Sequence, residues 1–156
     1  MSYPESKAVE TWEKDGLRYS LTRDDTMGHF CGYARFPKRP TVEKGYGGIL
    51  SYAPVHGGIT YAHQDDDGMV YGFDCAHAGD EQDPLVKDPV WARAECERMG
   101  IAIQEAAKVE AEYLRNDGNN EARAALLDDY VARMTSAGCD EGFNFGKAIR
   151  VMSGRL

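Results

Sequence analysis

The sequence lacks the features that mark membrane-spanning, secreted and zinc-ribbon proteins. Its apolar runs are much shorter than the roughly 20 residues that a membrane-spanning helix needs. The start, MSYPESKAVE, has no basic stretch followed by an apolar core, as a secretory leader would have. The cysteines form no Cys-x-x-Cys pair, which argues against a zinc ribbon and against a redox dithiol. We therefore expect a cytoplasmic location, reduced thiols and no membrane partner.

A basic surface is missing as well. The net charge is −8, and between Asp65 and Asp88 eight acidic residues stand against a single base, Lys87. Binding to duplex DNA depends on Lys and Arg releasing counterions from many phosphates, so general duplex DNA binding is not expected. The acidic segment suits a cation, a basic patch on a partner protein or solvent. The basic cluster RFPKRP, residues 35–40, is typical of an exposed loop, with a phosphate or an acidic partner as the functional alternative.

Short alternating runs dominate the first half of the chain, which is the pattern of β-strands. We predict two hairpins with a single strand between them. The segments are AVETWEKDGLRYSLTR, then GHFCGYARF, then GITYAH joined to MVYGFDC across QDDDG. In the last turn, Gly68 supplies the positive φ that hairpin turns often require. Residues 8–80 are therefore expected to form a small, mainly antiparallel sheet.

The pattern changes to that of helices over residues 88–136. Asp88 is suited to cap the first helix, and Pro89 to occupy its first position. Apolar residues then recur on one side of the helix. They include Cys96, Met99, Ile103, Ala106 and Ala107. Gly100 predicts a close packing contact or a slight bend, and a second helix is expected over residues 120–136.

Together these segments predict an α+β fold in a single domain over residues 1–156. The antiparallel sheet of the N-terminal half is covered by the two C-terminal helices, whose apolar sides need such a partner. Residues 137–156 are ambiguous between a strand and a short helix, and we expect them to pack back onto the domain. The long first helix also allows a homodimer, although the sheet is sufficient to explain its apolar side.

The candidate functional surface is the segment 55–80, which holds three of the four histidines in the chain. His56 precedes Gly57 and Gly58, which have no side chain and let a ligand approach the backbone closely. Further polar residues follow the last strand of the second hairpin. They are Asp74, Cys75, His77 and Asp80. If the two strands of this hairpin pair, these groups come together in one polar cluster.

The first interpretation of that cluster is a divalent metal site. Imidazoles and carboxylates are common metal ligands, and a metal-bound water can attack a phosphodiester. The candidate ligands are His56, His77 and Asp80, and the candidate catalytic residues are His56, Asp74, His77 and Asp80. The spacing matches no specific metal motif such as His-Glu-x-x-His, so any cofactor stays open at this point.

The second interpretation is a nucleotide site, in which aromatic rings stack on a base and polar groups fix its orientation. The candidate ligand-binding residues are His56, Gly57, Gly58, Tyr61, Tyr71, Asp74 and His77. The third interpretation is structural: an aspartate and a histidine hold one another, and the glycines serve the backbone. Buried polar groups are normally satisfied in this way without any further role.

Several stretches of the sequence resemble a family of small phage and prophage proteins, recognised by an HGG-[LI]-TY stretch and a GFDCAHAGD stretch. They are TWEKDGLRYSLTR, GHFCGY, HGGITYA and GFDCAHAGD. The resemblance covers roughly residues 10–100, although the segment between Tyr61 and Met69 is very short and the helical part beyond about residue 105 is long for the family. It implies an accessory protein in the cytoplasm of an infected bacterial host, and it implies no reaction.

The leading hypothesis is therefore a phage-encoded protein that antagonises a bacterial defence system by binding. It would sequester a small nucleotide signal or occupy a defence protein, and we favour binding over catalysis. The alternative from another class is a metal-dependent hydrolase acting on a nucleotide or phosphodiester. A further alternative is an acidic protein-only inhibitor, in which the segment from Asp65 to Asp88 docks onto a nucleic-acid-binding host complex.

Overall fold

The computed structural model describes residues 1–76 and 79–136. Within them, the antiparallel sheet comprises β1 (Glu10–Lys14), β2 (Leu17–Arg23), β3 (Phe30–Phe36), β4 (Tyr61–Asp65) and β5 (Gly68–Phe73). The helices that follow are α1 (Pro89–Arg115) and α2 (Asn120–Ser136). Short 3-10 helices lie at Glu5–Lys7, Gly48–Tyr52, Asp80–Gln82 and Pro84–Lys87. The strand order is β1-β2-β3-β5-β4, with every neighbouring pair antiparallel, and the α+β prediction is confirmed.

Backbone conformation at a few positions determines both hairpins. Asp15 (φ 52°) and Gly16 (φ 81°) form the turn between β1 and β2, and two-residue turns with positive φ match the twist of the flanking strands. The second hairpin turns at residues 66–67. Gly68 has the predicted positive φ, 127°, but it begins β5 and does not lie in the turn. A Cβ at this position would lie 2.0 Å from the carbonyl oxygen of Phe36, so the residue also permits β5 to approach β3.

The helices begin and pack largely as the sequence predicts. Asp88 caps α1, because its Oδ1 accepts a hydrogen bond from the Val90 N–H at 2.9 Å. α1 packs on β2 and β3, and α2 packs against α1. The predicted close contact at Gly100 is confirmed, since a Cβ there would lie 2.3 Å from Tyr19 Oη. Over the described stretches, no helix combines the length and apolar character needed to cross a membrane. The prediction for residues 137–156 lies outside the described residues.

Strand alternation gives the sheet two chemically different faces. On the inner face, Tyr19 and Tyr71 lie in the core under α1, with 3% and 0% of their surface exposed. On the opposite face, here called the outer face, Tyr33 of β3 and Tyr61 of β4 lie on either side of Gly72 of β5. The core therefore lies between the inner face and α1, and the outer face carries a separate set of polar and aromatic groups.

Residues 2–7, here called the N-terminal segment, run across part of the outer face. Their backbone hydrogen bonds are local, such as Ser6 N–H to Ser2 O at 2.9 Å and Lys7 N–H to Pro4 O at 3.0 Å. In the described part of the chain, backbone pairing with the sheet begins at Val9, whose N–H donates to an oxygen of β2 at 2.8 Å. Side chains therefore hold the segment on the sheet.

The interpretation of residues 35–40 as an exposed loop was wrong for its first two residues, and Phe36, the last residue of β3, is 4% exposed. Lys38 and Arg39 are exposed, but Arg35 lies in β3 on the outer face and is 5% exposed. Its partners are Glu5 and Asp65, each about 30 residues away in sequence. The charges within a short stretch of sequence do not identify partners this far away.

Candidate functional site

His56 and Asp80, two residues of the predicted cluster, form a buried pair. His56 Nε2 lies 2.9 Å from Asp80 Oδ1, and a carboxylate oxygen accepts, so the imidazole donates this bond. The two residues are 1% and 3% exposed. The ring of Trp91, at the start of α1, packs edge-on against the imidazole with 5.2 Å between ring centroids. The pair therefore ties the loop before β4 to the segment that leads into α1.

A small cavity adjoins this buried pair. It has a volume of about 140 Å³, and its lining includes Cys75, Asp80 and Lys87. Pockets that enclose drug-sized ligands measure ~300–1,000 Å³, so a nucleotide does not fit in it. Burial also raises the pKa of the Cys75 thiol, which keeps it protonated and a weak nucleophile.

Gly57 and Gly58 serve the backbone turn after His56. Both have positive φ, 69° and 81°, and the Gly58 N–H donates to Val55 O at 2.8 Å. Side-chain-bearing residues rarely adopt this conformation. The turn is therefore a sufficient reason for both glycines, independent of any ligand.

Asp74 also has structural partners. Its Oδ2 accepts a hydrogen bond from Thr60 Oγ1 at 2.9 Å, and its Oδ1 accepts one from the Ala76 N–H at 3.0 Å. His77 lies outside the described residues. Among residues 1–76 and 79–136, no three His, Cys, Asp or Glu side chains form a group suited to a metal ion. Of the predicted metal and catalytic residues, the structure thus brings together His56 and Asp80.

Tyr61 and Tyr71, the two predicted stacking residues, lie on opposite faces of the sheet. Tyr71 pairs with Ala62 across the hairpin, and its ring packs in the core edge-on to Phe36, 5.7 Å away. Since its exposure is 0%, the ring is not accessible to a ligand. Tyr61 is half-buried on the outer face and is the one of the two with a ring that a ligand can reach.

Tyr61 belongs to an aromatic cluster on the outer face, formed by Tyr3, Tyr33, Tyr61 and His63. Tyr33 and Tyr61 meet edge to face at 5.4 Å, and His63 lies 6.4 Å from Tyr61. The Tyr3 ring packs on both tyrosines, at 5.4 Å and 5.9 Å, and its hydroxyl bonds to that of Tyr33. Gly72 makes room for the cluster, because a Cβ there would lie 2.5 Å from the Tyr33 ring.

Arg35 is the cationic centre beside this cluster. Its Nε and Nη2 donate to the two oxygens of Glu5 at 2.7 Å and 2.9 Å, the bidentate geometry in which arginine binds a planar oxyanion. Its Nη1 donates to Asp65 Oδ1 at 2.6 Å. The side chains of Arg35 and Glu5 are 6% and 5% exposed, so this is a buried ion pair.

The ionisation of these groups follows from their contacts. Burial by itself raises the pKa of Glu5, but the hydrogen bonds from Arg35 and from the backbone, together with the positive charges of Arg35 and Arg18, bring the pKa below its ordinary value. Hydrogen bonds from Arg35 likewise lower the pKa of Asp65, and those to Glu5 raise the pKa of Arg35. All three groups are therefore charged at neutral pH. Burial raises the pKa of Tyr33 and Tyr61, so both hydroxyls stay neutral.

A groove opens at the Arg35 end of the outer face, with a volume of about 670 Å³. This is within the ~300–1,000 Å³ of typical ligand pockets. Arg18 lies directly opposite Arg35 on β2, and its side chain is 52% exposed with an ion pair to Glu13 at 3.4 Å. The charged residues of the lining are Glu13, Lys14, Asp15, Arg18, Arg35 and Asp67. The groove thus contains two guanidinium groups, and Arg35 links it to the aromatic cluster because it follows Tyr33 by two positions on the same face of β3.

The acidic segment from Asp65 to Asp88 is largely engaged in local structure. Besides the contacts of Asp65, Asp74 and Asp80, the carboxylate of Asp83 accepts from the Leu85 N–H at 3.0 Å. Asp88 caps α1. A protein-docking role is therefore not needed to explain these residues.

Sequence reasoning found Tyr61 but not the rest of the outer-face cluster. The signal for Tyr33 and Arg35 was present, since FCGYARF places both on the strand face opposite to Gly32, Ala34 and Phe36. Tyr3 and Glu5 carried no local signal, because they reach the sheet through contacts with residues about 30 positions away. The chain matches no protein-family model, no curated protein and no solved structure.

Proposed function

We propose that this protein binds and sequesters a small nucleotide on the outer face of its sheet. The observation that carries the proposal is the aromatic cluster of Tyr33, Tyr61 and His63 lying beside the guanidinium group of Arg35, with Arg18 opposite Arg35 on the neighbouring strand. A nucleotide has the two matching parts, a base that stacks on aromatic rings and a phosphate that pairs with arginine.

The position of the aromatic groups supports base stacking. α1 packs on the inner face, and Tyr61 and His63 are, respectively, half-buried and exposed on the outer face. Stacking on aromatic side chains on a sheet surface is a common way of holding unpaired bases. Each such contact contributes ~1–3 kcal/mol, and the two rings that a base can reach are those of Tyr61 and His63, because Tyr33 is 6% exposed.

Burial of the histidine pair supports binding over catalysis. A general base must come within hydrogen-bond reach of its substrate, whereas His56 and Asp80 are 1% and 3% exposed and bond to each other. The metal-dependent hydrolase is the weaker proposal for this reason. Of its other candidates, Asp74 bonds to Thr60 and to the Ala76 N–H, and His77 lies outside the described residues.

The biological setting of the proposal rests on the resemblance to phage and prophage proteins. In an infected bacterium, a protein that sequesters a nucleotide signal would silence the defence system that the signal activates. Occupation of a defence protein stays as the related proposal. The acidic protein-only inhibitor has less support, because the carboxylates of Asp65, Asp74 and Asp88 already have partners in the fold.

The proposal is tested by titrating the protein with nucleotides and comparing Tyr61→Ala with Tyr46→Ala by NMR. Tyr46 is the matched control, because it is 44% exposed on a loop and does not belong to the aromatic cluster. We expect adenosine and guanosine monophosphates, or cyclic dinucleotides, to shift signals of β3, β4 and β5 in the unmodified protein. Tyr61→Ala should weaken binding about tenfold or more, and Tyr46→Ala should not. Equal affinity in both variants would contradict the proposed site.

A further inference from the structure

The N-terminal segment places an aromatic ring and an anion on the two parts of the proposed nucleotide site. Tyr3 packs its ring on Tyr33 and Tyr61. Two residues later, Glu5 places its carboxylate on Arg35. A base and a phosphate would need the same two positions, so the segment has the chemical layout of the ligand.

The contact between Glu5 and Arg35 has the form of a ligand contact. Two parallel hydrogen bonds, 2.7 Å and 2.9 Å long, join the guanidinium to both carboxylate oxygens, as arginine also binds two oxygens of a phosphate. Asp65 holds the third side of Arg35 and orients it from the sheet. Removing Glu5 would therefore leave a guanidinium that is already positioned for an oxyanion.

The attachment of the segment allows it to leave as a unit. Its backbone bonds within itself, and its contacts with the sheet come from side chains and from the Tyr3 carbonyl, which accepts from Arg35 Nη2 at 3.3 Å. Ser2 adds a hydrogen bond from its Oγ to Asp65 at 3.3 Å. No ladder pairing is broken when such a segment detaches, so the sheet itself stays intact.

A phosphate would bind more tightly at this position than the Glu5 carboxylate does. Arg18 lies opposite Arg35 and contributes attraction to the Glu5 carboxylate, while its own ion pair with Glu13 is exposed and 3.4 Å long. A phosphate monoester carries a charge of about −2 and three acceptor oxygens, so it can use both guanidinium groups. The adjoining groove of about 670 Å³ has room for the added atoms.

We propose that the N-terminal segment is an internal mimic of the ligand, in which Tyr3 occupies the base position and Glu5 the phosphate position, and that a bound nucleotide displaces it. The identity of the ligand in this inference rests on the proposed function. The segment lowers the affinity of the site by the fraction of time that it covers Arg35. Binding of ligand and release of the segment are then one equilibrium.

The test is isothermal titration calorimetry of Glu5→Gln with adenosine monophosphate and, separately, with pyrophosphate, at fixed ionic strength. Gln keeps the size of the side chain and one acceptor for Arg35, so we expect the fold to be retained. We expect Glu5→Gln to bind both compounds about tenfold more tightly than the unmodified protein. Glu112→Gln, the same change at an exposed site on α1, should bind as the unmodified protein does. Adding Arg35→Lys to Glu5→Gln should cancel this increase in affinity.

The variant Tyr3→Ala distinguishes a segment that competes with the ligand from a segment that forms a wall of the binding site. A mimic predicts tighter binding of adenosine monophosphate to Tyr3→Ala, because the competing ring is gone. A structural wall predicts weaker binding, and that result would overturn the inference. In the unmodified protein, saturating adenosine monophosphate should also shift the amide signals of Ser6 and Lys7 toward their positions in Glu5→Gln.

The two compounds distinguish failure of this inference from failure of the proposed function. If adenosine monophosphate binds through Tyr61 but equally well to Glu5→Gln and the unmodified protein, the mimic is overturned and the proposed function stands. If adenosine monophosphate binds to none of the proteins while pyrophosphate binds more tightly to Glu5→Gln, the nucleotide function fails and the phosphate position stands. If neither compound binds more tightly to Glu5→Gln than to the unmodified protein, the inference is wrong.

Discussion

At the scale of single residues, Gly72 and Gly32 open space on opposite faces of the sheet. A Cβ on Gly72 would lie 2.5 Å from the Tyr33 ring on the outer face, and a Cβ on Gly32 would lie 2.3 Å from Cys96 Sγ on the inner face. The missing side chain of Gly72 makes room for the aromatic cluster, and that of Gly32 makes room for α1. Their roles were not visible in the sequence, where an isolated glycine in a strand indicates a close approach without saying what approaches.

Gly72→Ala tests the packing of the aromatic cluster. The added methyl group would overlap the Tyr33 ring and also lie 3.0 Å from the Gly32 carbonyl oxygen. We expect the free energy of unfolding to fall by about 1–3 kcal/mol, measured by urea denaturation. Gly47→Ala is the control, because it has negative φ and open space around the added group. Equal stability of the two variants would contradict the packing described for Tyr33.

The ion pairs of Arg35 predict how stability depends on pH. Glu5 and Asp65 have a pKa below the ordinary value in the folded protein, so the folded state binds their protons more weakly than the unfolded state does. Their stabilising effect is complete above about pH 5 and is lost as the pH falls through the lowered folded-state pKa values. In urea denaturation, the double variant Glu5→Gln, Asp65→Asn should lose less stability between about pH 5 and pH 3 than the unmodified protein does. An equal loss in both proteins would exclude this linkage.

At the scale of elements, the sequence contains most of the secondary structure. Alternation identifies β1 to β5, the Asp15 and Gly16 turn is encoded locally, and Asp88 with Pro89 marks the start of α1. What the strands do not encode is which of their faces a helix will cover. Both faces of β3 are largely buried, one by α1 and the other by the N-terminal segment, and those partners come from distant parts of the chain.

The packing of α1 on β2 depends on Gly100. In an exposed helix, replacing Gly by Ala stabilises by ~1 kcal/mol, but here the Cβ would lie 2.3 Å from Tyr19 Oη and 3.0 Å from Leu17 Cδ1. We expect Gly100→Ala to lower the free energy of unfolding, and to lower it less when Tyr19→Phe removes the hydroxyl. A thermal or urea denaturation cycle of the four proteins measures this coupling. The same effect of Gly100→Ala in both backgrounds would show that the Tyr19 hydroxyl is not the limiting contact.

At the scale of the whole molecule, the segment 55–80 does not form one site. Ala62 pairs with Tyr71, so Tyr61 and Tyr71 alternate to opposite faces, while His56 and Asp80 close a buried contact beside Trp91. Of the two stacking residues that the sequence predicts, Tyr61 lies on the outer face, half-buried, and its ligand-binding role stays a prediction. The sequence did not predict the arginines and tyrosines around it, because cross-strand register and the path of residues 2–7 decide which side chains meet.

This arrangement divides the molecule into a packed side and a side that we propose binds the ligand. The inner face, α1 and α2 hold the core, and the outer face carries the aromatic cluster, Arg35 and the groove. Substitutions of exposed groups on the outer face should therefore change ligand binding with little effect on the core. The division also explains why a variant such as Tyr61→Ala is informative, since its ring is half-buried and outside the core under α1.

The most direct test is native mass spectrometry of the protein after incubation with an extract of phage-infected cells. We expect an intact adduct with the mass of a nucleotide on the unmodified protein and on Tyr46→Ala, and its absence from Tyr61→Ala. Recovery of the nucleotide unchanged would support sequestration over hydrolysis. Absence of any adduct, an adduct retained by Tyr61→Ala, or conversion of the nucleotide into a product would contradict binding on the outer face as the function of this protein.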